Sequence, residues 1–217
     1  GGLIGVINGF LIVRLKMSAF IITLASYIWV RGLVLVVSGG RSAQDLAPAI
    51  RWFGIQRLLG LPLTAWIAVA CFVIFSLILA KTPFGRHLVM IGGNETATFR
   101  AGIRVNRNLV LAFVLAGAIA GLAGWLLAIR TSGATANLGV GLLFNAFAAV
   151  VIGGVSLKGG VGTLPGVYAG VLLLSAINTA INLMGLPANF TQVIHGLLVL
   201  AAVLLDAFKQ TIRQKLA

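Results

Sequence analysis

Apolar positions run along this chain in long blocks, and the polar residues gather in the breaks between them. Hydrocarbon about 30 Å thick needs roughly 20 apolar residues in a helix. Pro62 to Ala80 is free of charge for 19 residues, Leu109 to Ile129 for 21 and Leu138 to Leu157 for 20, and each predicts a span. Met17 to Val37 predicts a fourth, with a single internal charge at Arg31. From Gly159 to Leu205 there are 47 residues without an acid, Lys or Arg, too long for one span. The turn-forming run Gly185-Leu-Pro-Ala-Asn189 divides them into helices over 165–184 and 190–207. Gly1 to Val13 reads as the end of a further helix.

Composition turns that pattern into a class. The 217 residues are 60% hydrophobic and 9% charged, where soluble domains hold about 25% charged residues. An all-α, polytopic transmembrane bundle is predicted, with about six to seven spans in this stretch. The 28 glycines have no Gly-X-Y period, which excludes collagen. The opening residues lack a Met or a charged leader and resemble the interior of a longer protein.

Charge then orients the bundle. Sixteen Lys and Arg stand against Asp45, Glu95 and Asp206, for a net +13. The cations are spread thinly between uncharged stretches, so the balance points to membrane topology and away from nucleic acid. With the 81–107 loop inside, Arg14, Lys16, Lys81, Arg86, Arg100, Arg104, Arg107, Lys158, Lys209, Arg213 and Lys215 are cytoplasmic. Arg41, Arg51, Arg57 and Arg130 are then outside. Eleven against four favours this orientation and a cytoplasmic C-terminus.

Two connections are long. The outer one, Gly39 to Leu61, mixes Pro48, Trp52, Phe53 and three Arg, and suits either a short surface helix or a solvated connector. The inner one, Lys81 to Arg107, has 27 residues, with a Gly-rich turn and then a short helical stretch, and reads as a docking element. Small residues recur at every fourth position in Gly1/Gly5/Gly9, Ala116/Ala120/Gly124 and Gly162/Gly166/Gly170, the spacing of close helix packing within a bundle or at a dimer face.

The inventory for catalysis is poor. Three acids and two histidines form no metal or two-carboxylate pattern. His87 falls in the inner loop, and His195 falls in the last span as a packing or pathway residue. Gly153-Gly-Val-Ser-Leu-Lys-Gly-Gly160 lacks the Gly-Lys-Ser/Thr of a phosphate loop, so Gly153, Gly154, Gly159 and Gly160 are read as turn and packing residues. Cys71 reads as a small buried hydrophobe. Asn145, Ser175, Asn178 and Asn182 interrupt apolar helices, the last three on one face at i, i+3, i+7. Such polar groups either bond neighbouring helices or line a route for a neutral, hydroxyl-rich solute. The scarcity of intramembrane carboxylates argues against an ion-coupled carrier.

Thr82-Pro-Phe-Gly-Arg-His-Leu-Val-Met-Ile-Gly-Gly-Asn-Glu-Thr-Ala-Thr-Phe-Arg-Ala-Gly-Ile103 resembles the cytoplasmic coupling segment of ribose/xylose/arabinose-type permease subunits of bacterial ABC importers. Ala148-Ala-Val-Val-Ile-Gly-Gly-Val-Ser-Leu-Lys-Gly-Gly-Val-Gly162 resembles the same family, as do Asn8-Gly9, Phe20-Ile-Ile-Thr-Leu24 and Arg31-Gly32, in order over essentially the whole chain. The resemblance implies one transmembrane permease domain over 1–217, a fragment of a roughly ten-span subunit. Its 81–107 loop carries ATPase-coupling residues Arg86, Gly92, Gly93, Asn94, Glu95, Ala97 and Gly102. It further implies inward monosaccharide transport across the bacterial inner membrane, for which Phe144, Asn145 and the α-helical stripe Ser175, Asn178, Asn182 are the candidate pathway residues. Implied partners are two cytoplasmic ATPases, which would hold ATP and magnesium, a periplasmic sugar-binding protein and a second permease copy. The chain itself would have no cofactor and would not be an enzyme. A branched-chain amino-acid permease is the neighbouring class, and an ATPase-independent channel or carrier a distinct one. The chain departs from the family where two acids are replaced by Leu143 and Asn145, and where Ser18 replaces a proline.

Overall fold

The computed structural model describes residues 1–43, 53–54, 56–156, 159–185, 193, 196–197, 200 and 204; the side chain of Asn182 is outside that description. Eight helices lie in the described segments: α1 (Gly2–Leu15), α2 (Ala19–Ser38), α3 (Leu63–Lys81), α4 (Pro83–Gly93), α5 (Glu95–Arg100), α6 (Val105–Arg130), α7 (Leu142–Ile152) and α8 (Leu164–Leu183). A two-residue hairpin, β1 (Arg57–Leu58) with β2 (Leu61–Pro62), precedes α3. Among the described residues four helices, α2, α3, α6 and α8, are long and apolar enough to cross a membrane. Of the expected helix over 190–207 only 193, 196–197, 200 and 204 are described, each in helical conformation; His195, Lys158 and the centre of the outer loop lie outside the described residues.

Two expectations change. The charge-free block 138–157 is helical only over the 11 residues of α7, about 16 Å, short of the hydrocarbon thickness. Gly139 and Gly141 hold φ at +92° and +89° before it, and Gly154 holds +83° after it, so backbone conformation ends the helix where hydropathy does not. The inner 81–107 stretch is largely helical, being occupied by α4, α5 and the first turn of α6. Ser18, at the family's proline position, sits before α2 with φ −56°, an angle proline itself would fix.

The chain forms two compact units, 1–78 with 99–138, and 79–98 with 139–217. In the first, α1 lies antiparallel on α6. A Cβ on Gly1 or Gly5 would overlap the backbone at Gly117 and Phe113, and one on Gly9 would lie 3.0 Å from the Val110 Cα. The reciprocal small residues are Gly117 and Gly121, facing Gly1 and Gly5, whereas Gly124 from the expected Ala116/Ala120/Gly124 row meets nothing within 4 Å. A buried Ser26 Oγ donates to Asn8 Oδ1 at 2.5 Å and joins α2 to α1. No residue of α3 is buried, and its Cys71 is half-buried.

In the second unit, α7 and α8 run antiparallel with backbones in contact at Gly153 with Gly166 and at Ala149 with Gly170. Ala148, Ala149 and Leu174 form its small core, flanked by Ile152 and Ile177. Gly162 is not part of that row. It precedes α8, and a Cβ there would lie 2.9 Å from Val155 Cγ2, so its absence leaves room for that side chain.

These contacts predict that Gly5→Val destabilises the protein by about 1–3 kcal/mol, as overpacking does, while Gly124→Val is tolerated. Thermal unfolding in detergent measures both; equal loss in the two would contradict the packing.

Candidate functional site

The candidate coupling segment begins at a tight corner between α3 and α4. Thr82 is extended, its Oγ1 accepts the Gly85 N–H at 3.4 Å, and Pro83 occupies the first helical position, where its missing N–H costs nothing. Gly85 is buried because a Cβ there would overlap the Leu79 backbone. From that corner α4 is amphipathic. Gly85 and Ile91 are buried, while Arg86, Val89, Met90 and Gly93 are exposed at i, i+3, i+4, i+7.

Asn94 joins α4 to α5. Its N–H donates to the Met90 carbonyl at 2.9 Å and closes α4. Its Oδ1 accepts the Ala97 N–H at 2.9 Å, and its carbonyl accepts from the Thr98 N–H at 3.0 Å and the Thr98 Oγ1 at 2.8 Å. One side chain therefore caps the helix that carries Glu95 and Ala97, both exposed. Glu95 in the first turn and Arg100 in the last suit the helix dipole. Gly102, at φ +80° with open space around it, turns the chain after α5.

The second unit brings two predicted groups together. A Cβ on Gly92 would overlap the Gly160 N, and one on Gly160 would lie 2.8 Å from the Gly93 N. Gly159 meets the Gly92 carbonyl at 3.0 Å by the same measure. Gly159 and Gly160 hold φ +91° and +76°, so side chains are excluded there both by conformation and by contact. The last turn of α4 thus rests backbone to backbone on the stretch that leads into α8. Gly92, read from sequence as a partner-facing residue, is half-buried in this internal contact.

The predicted polar stripe is only partly gathered. Ser175 is exposed and Asn178 half-buried on α8, next to the buried positions Leu174 and Ile181. Continuing the α7–α8 register, which sets Gly153 by Gly166 and Ala149 by Gly170, brings half-buried Asn145 level with Leu174, a turn from Asn178. Phe144 is 61% exposed. His87 is half-buried on α4.

Two polar links were not anticipated from sequence. Arg31 Nη2 donates to Asn137 Oδ1 at 2.7 Å, and Arg31 Nε is buried with no partner among the described residues. The Asn8–Ser26 bond is the other. A lone Asn in the apolar run of α1 was its signal, since a polar group there must find protein or water.

Long apolar helices, glycine contacts and a capped surface segment define a polytopic helical membrane protein. The chain belongs to the family described as branched-chain amino acid transport system / permease component, which matches residues 1–203. It is 41% identical over 204 residues to the L-arabinose transport system permease protein AraH of Escherichia coli K12, covering 94% of this chain and 62% of that one. It is 42% identical over 204 residues to the ribose import permease protein RbsC of Bacillus subtilis 168, covering 93% and 63%. With RbsC of E. coli K12 the identity is 36% over 214 residues, covering 97% and 67%. The chain therefore spans less than two thirds of the length of the first two relatives. No solved structure matches it.

Asn94→Ala removes the cap and costs the α5 turn about 1 kcal/mol, so the Ala97 amide exchanges roughly fivefold faster, whereas Asn94→Asp restores protection. Hydrogen exchange in detergent checks this; unchanged Ala97 exchange in Asn94→Ala would refute the capping role.

Proposed function

We propose that the chain is the transmembrane permease subunit of an ATP-binding cassette importer that carries a monosaccharide of the pentose or hexose kind across the bacterial inner membrane. The observation that carries this reading is the likeness to arabinose and ribose permeases over 93–97% of the chain. In this reading two cytoplasmic ATPases bind and hydrolyse ATP with magnesium, a periplasmic binding protein delivers the sugar, and a second permease copy completes the pathway. The chain contributes no catalytic group and binds no nucleic acid. The coupling segment and the C-terminus face the cytoplasm, as the eleven inner cations favour.

The mechanism follows from the second unit. The exposed face of α4, with Arg86, Val89, Met90 and Gly93, and the first turn of α5, with Glu95 and Ala97, offer the ATPase a charged and apolar surface held firm by the Asn94 cap. Closure of the ATPases on ATP displaces α4. Because Gly92 meets Gly159 and Gly160 without intervening side chains, the contact has no rotamers in which to absorb the movement. It passes to α7 and α8, which are locked at Gly153–Gly166 and Ala149–Gly170. Asn145, Ser175, Asn178 and Asn182 ride on that pair. The amides of Asn145 and Asn178 and the hydroxyl of Ser175 offer donors and acceptors to sugar hydroxyls without a charge that would trap the solute. With Asn145 in place of a family acid, the route is neutral at that point.

The family description keeps a branched-chain amino acid as the second reading. Uptake by the reconstituted permease, ATPase and binding protein separates them. Excess arabinose or ribose should compete with the labelled substrate and leucine should not; the reverse would overturn the sugar assignment. Transport by the permease alone in liposomes would overturn the importer reading.

Gly92→Ala should leave co-purification with the ATPase intact and lower ATP-driven uptake about tenfold, because the added methyl pushes α4 off the Gly159–Gly160 backbone. Uptake at the parent rate would refute the transmission route.

A further inference from the structure

Just before α3 the chain folds into a tight ribbon. β1 and β2 pair antiparallel, Arg57 with Pro62 and Leu58 with Leu61, leaving Leu59 and Gly60 as a two-residue turn. Both turn residues hold positive φ, +53° and +81°, the conformation that matches the twist of the flanking strands. Gly60 takes it freely. Leu59 takes it with its Cβ crowding the backbone, a cost that Gly or Asn avoids. Burial of the side chain would offset that cost, but the chain itself supplies none, since Leu59 is 85% exposed.

Two more leucines stand beside it. Leu58 and Leu61 are cross-strand partners, so their side chains share one face of the ribbon, and both are more than half exposed. The ends of the ribbon fix its level. β2 runs directly into α3, a helix long and apolar enough to cross a membrane, and Gly60 is three residues from its start, at most about 10 Å. Upstream, Gly54 is seated on the end of α6, a second such helix, where a Cβ would lie 2.7 Å from Ile129 Cγ2. Trp66, in the first turn of α3, donates from Nε1 to the Leu58 carbonyl at 3.0 Å and ties the ribbon to that helix. The leucines are thereby held where two helices meet the membrane surface.

We infer that the 57–62 hairpin is an anchor in the membrane interface: Leu58, Leu59 and Leu61 enter the boundary between headgroups and acyl chains of the bilayer that α3 crosses. Lipid is the occupant because the ribbon is continuous with α3, none of whose residues is buried and whose apolar surface faces hydrocarbon. Trp66 at the helix end and Arg57 beside the leucines, both exposed, are the residue types that anchor helices at such boundaries. The Arg57 guanidinium matches the geometry of a lipid phosphate. Burial of Leu59 in lipid then offsets the cost of its backbone. The anchor also gives α3 a fixed depth. That helix has no buried residue to stop it sliding along the bilayer normal, and it leads directly to the Thr82 corner of the coupling segment. The anchor depends only on α3 and α6 crossing a membrane, whatever solute is carried.

The test is bimane fluorescence from Leu61→Cys in a Cys71→Ala background, with the full chain in nanodiscs and no soluble partner present. Lipids brominated high on the acyl chain should quench the label about twofold and aqueous iodide should leave it nearly unchanged, as for a side chain about 5–10 Å below the surface. Adding Leu59→Asn should reverse this, cutting bromine quenching and raising iodide quenching about threefold, while Leu59→Met keeps the parent pattern. Asn suits a φ of +53°, so Leu59→Asn should melt at or above the parent temperature, and a turn with a purely structural role would show no change in quenching. Iodide quenching without bromine quenching in the parent would overturn the anchor. Protection from both quenchers would overturn it in favour of a protein contact. Parent-like quenching in Leu59→Asn would also overturn it, since Leu59 would then gain nothing from lipid. Each of these results leaves the importer reading standing.

Discussion

Helices surrounded by hydrocarbon gain nothing by hiding leucines from one another, because lipid tails are as apolar as the side chains they replace. What remains is close approach of backbones, and the helix pairs here are organised by it. Gly1, Gly5 and Gly9 admit α6 to the surface of α1, with Gly117 and Gly121 answering from the other side. Gly153, Gly166 and Gly170 do the same for α7 and α8. Where a helix has no such row, as in α3, none of its residues is buried. Hydrogen bonds such as Ser26 to Asn8 add direction to contacts that dispersion alone leaves free to slide.

The same device appears outside the long helices, and there it bears on function. Gly92 rests on Gly159 and Gly160 as closely as the helices rest on each other, with two left-handed residues holding the receiving stretch in shape. A surface segment capped at both joints, by Thr82 and by Asn94, is thereby fastened to the helix pair that carries Asn145 and Asn178. A contact between backbones is suited to passing displacement, since it has no side-chain freedom to lose. In a family whose named relatives are an arabinose transport permease and a ribose import permease, that fastening gives the proposed coupling a material path.

Much of the fold was legible because hydropathy and helix length are set by the same bilayer. The blocks starting at Met17, Pro62 and Leu109 and the one over 165–184 reappear as α2, α3, α6 and α8, within a few residues. The block 138–157 misled because glycine conformation, invisible to hydropathy, cut it to α7. Small-residue spacing pointed to the right helices, but the side facing a partner depends on the neighbour's position: Gly117 and Gly121 face α1, while Gly124 meets nothing there. In the coupling segment the motif marked Asn94, though its capping role follows from an Asn placed immediately before a short helix. The meeting of Gly92 with Gly160, far apart in sequence, could come only from the fold. So could the partner of Arg31, 106 residues away.

The central claim is that α4 and the α7–α8 pair move together when ATP drives the transporter. It is tested most directly by the distance between spin labels at Val89 on α4 and Val171 on α8, both exposed, in the assembled complex with and without ATP. The account predicts the same distance in both states, while a label pair reporting on the pathway changes. A shift approaching one helical turn, about 5.4 Å, between Val89 and Val171 would show that the glycine contact slips, and would contradict it.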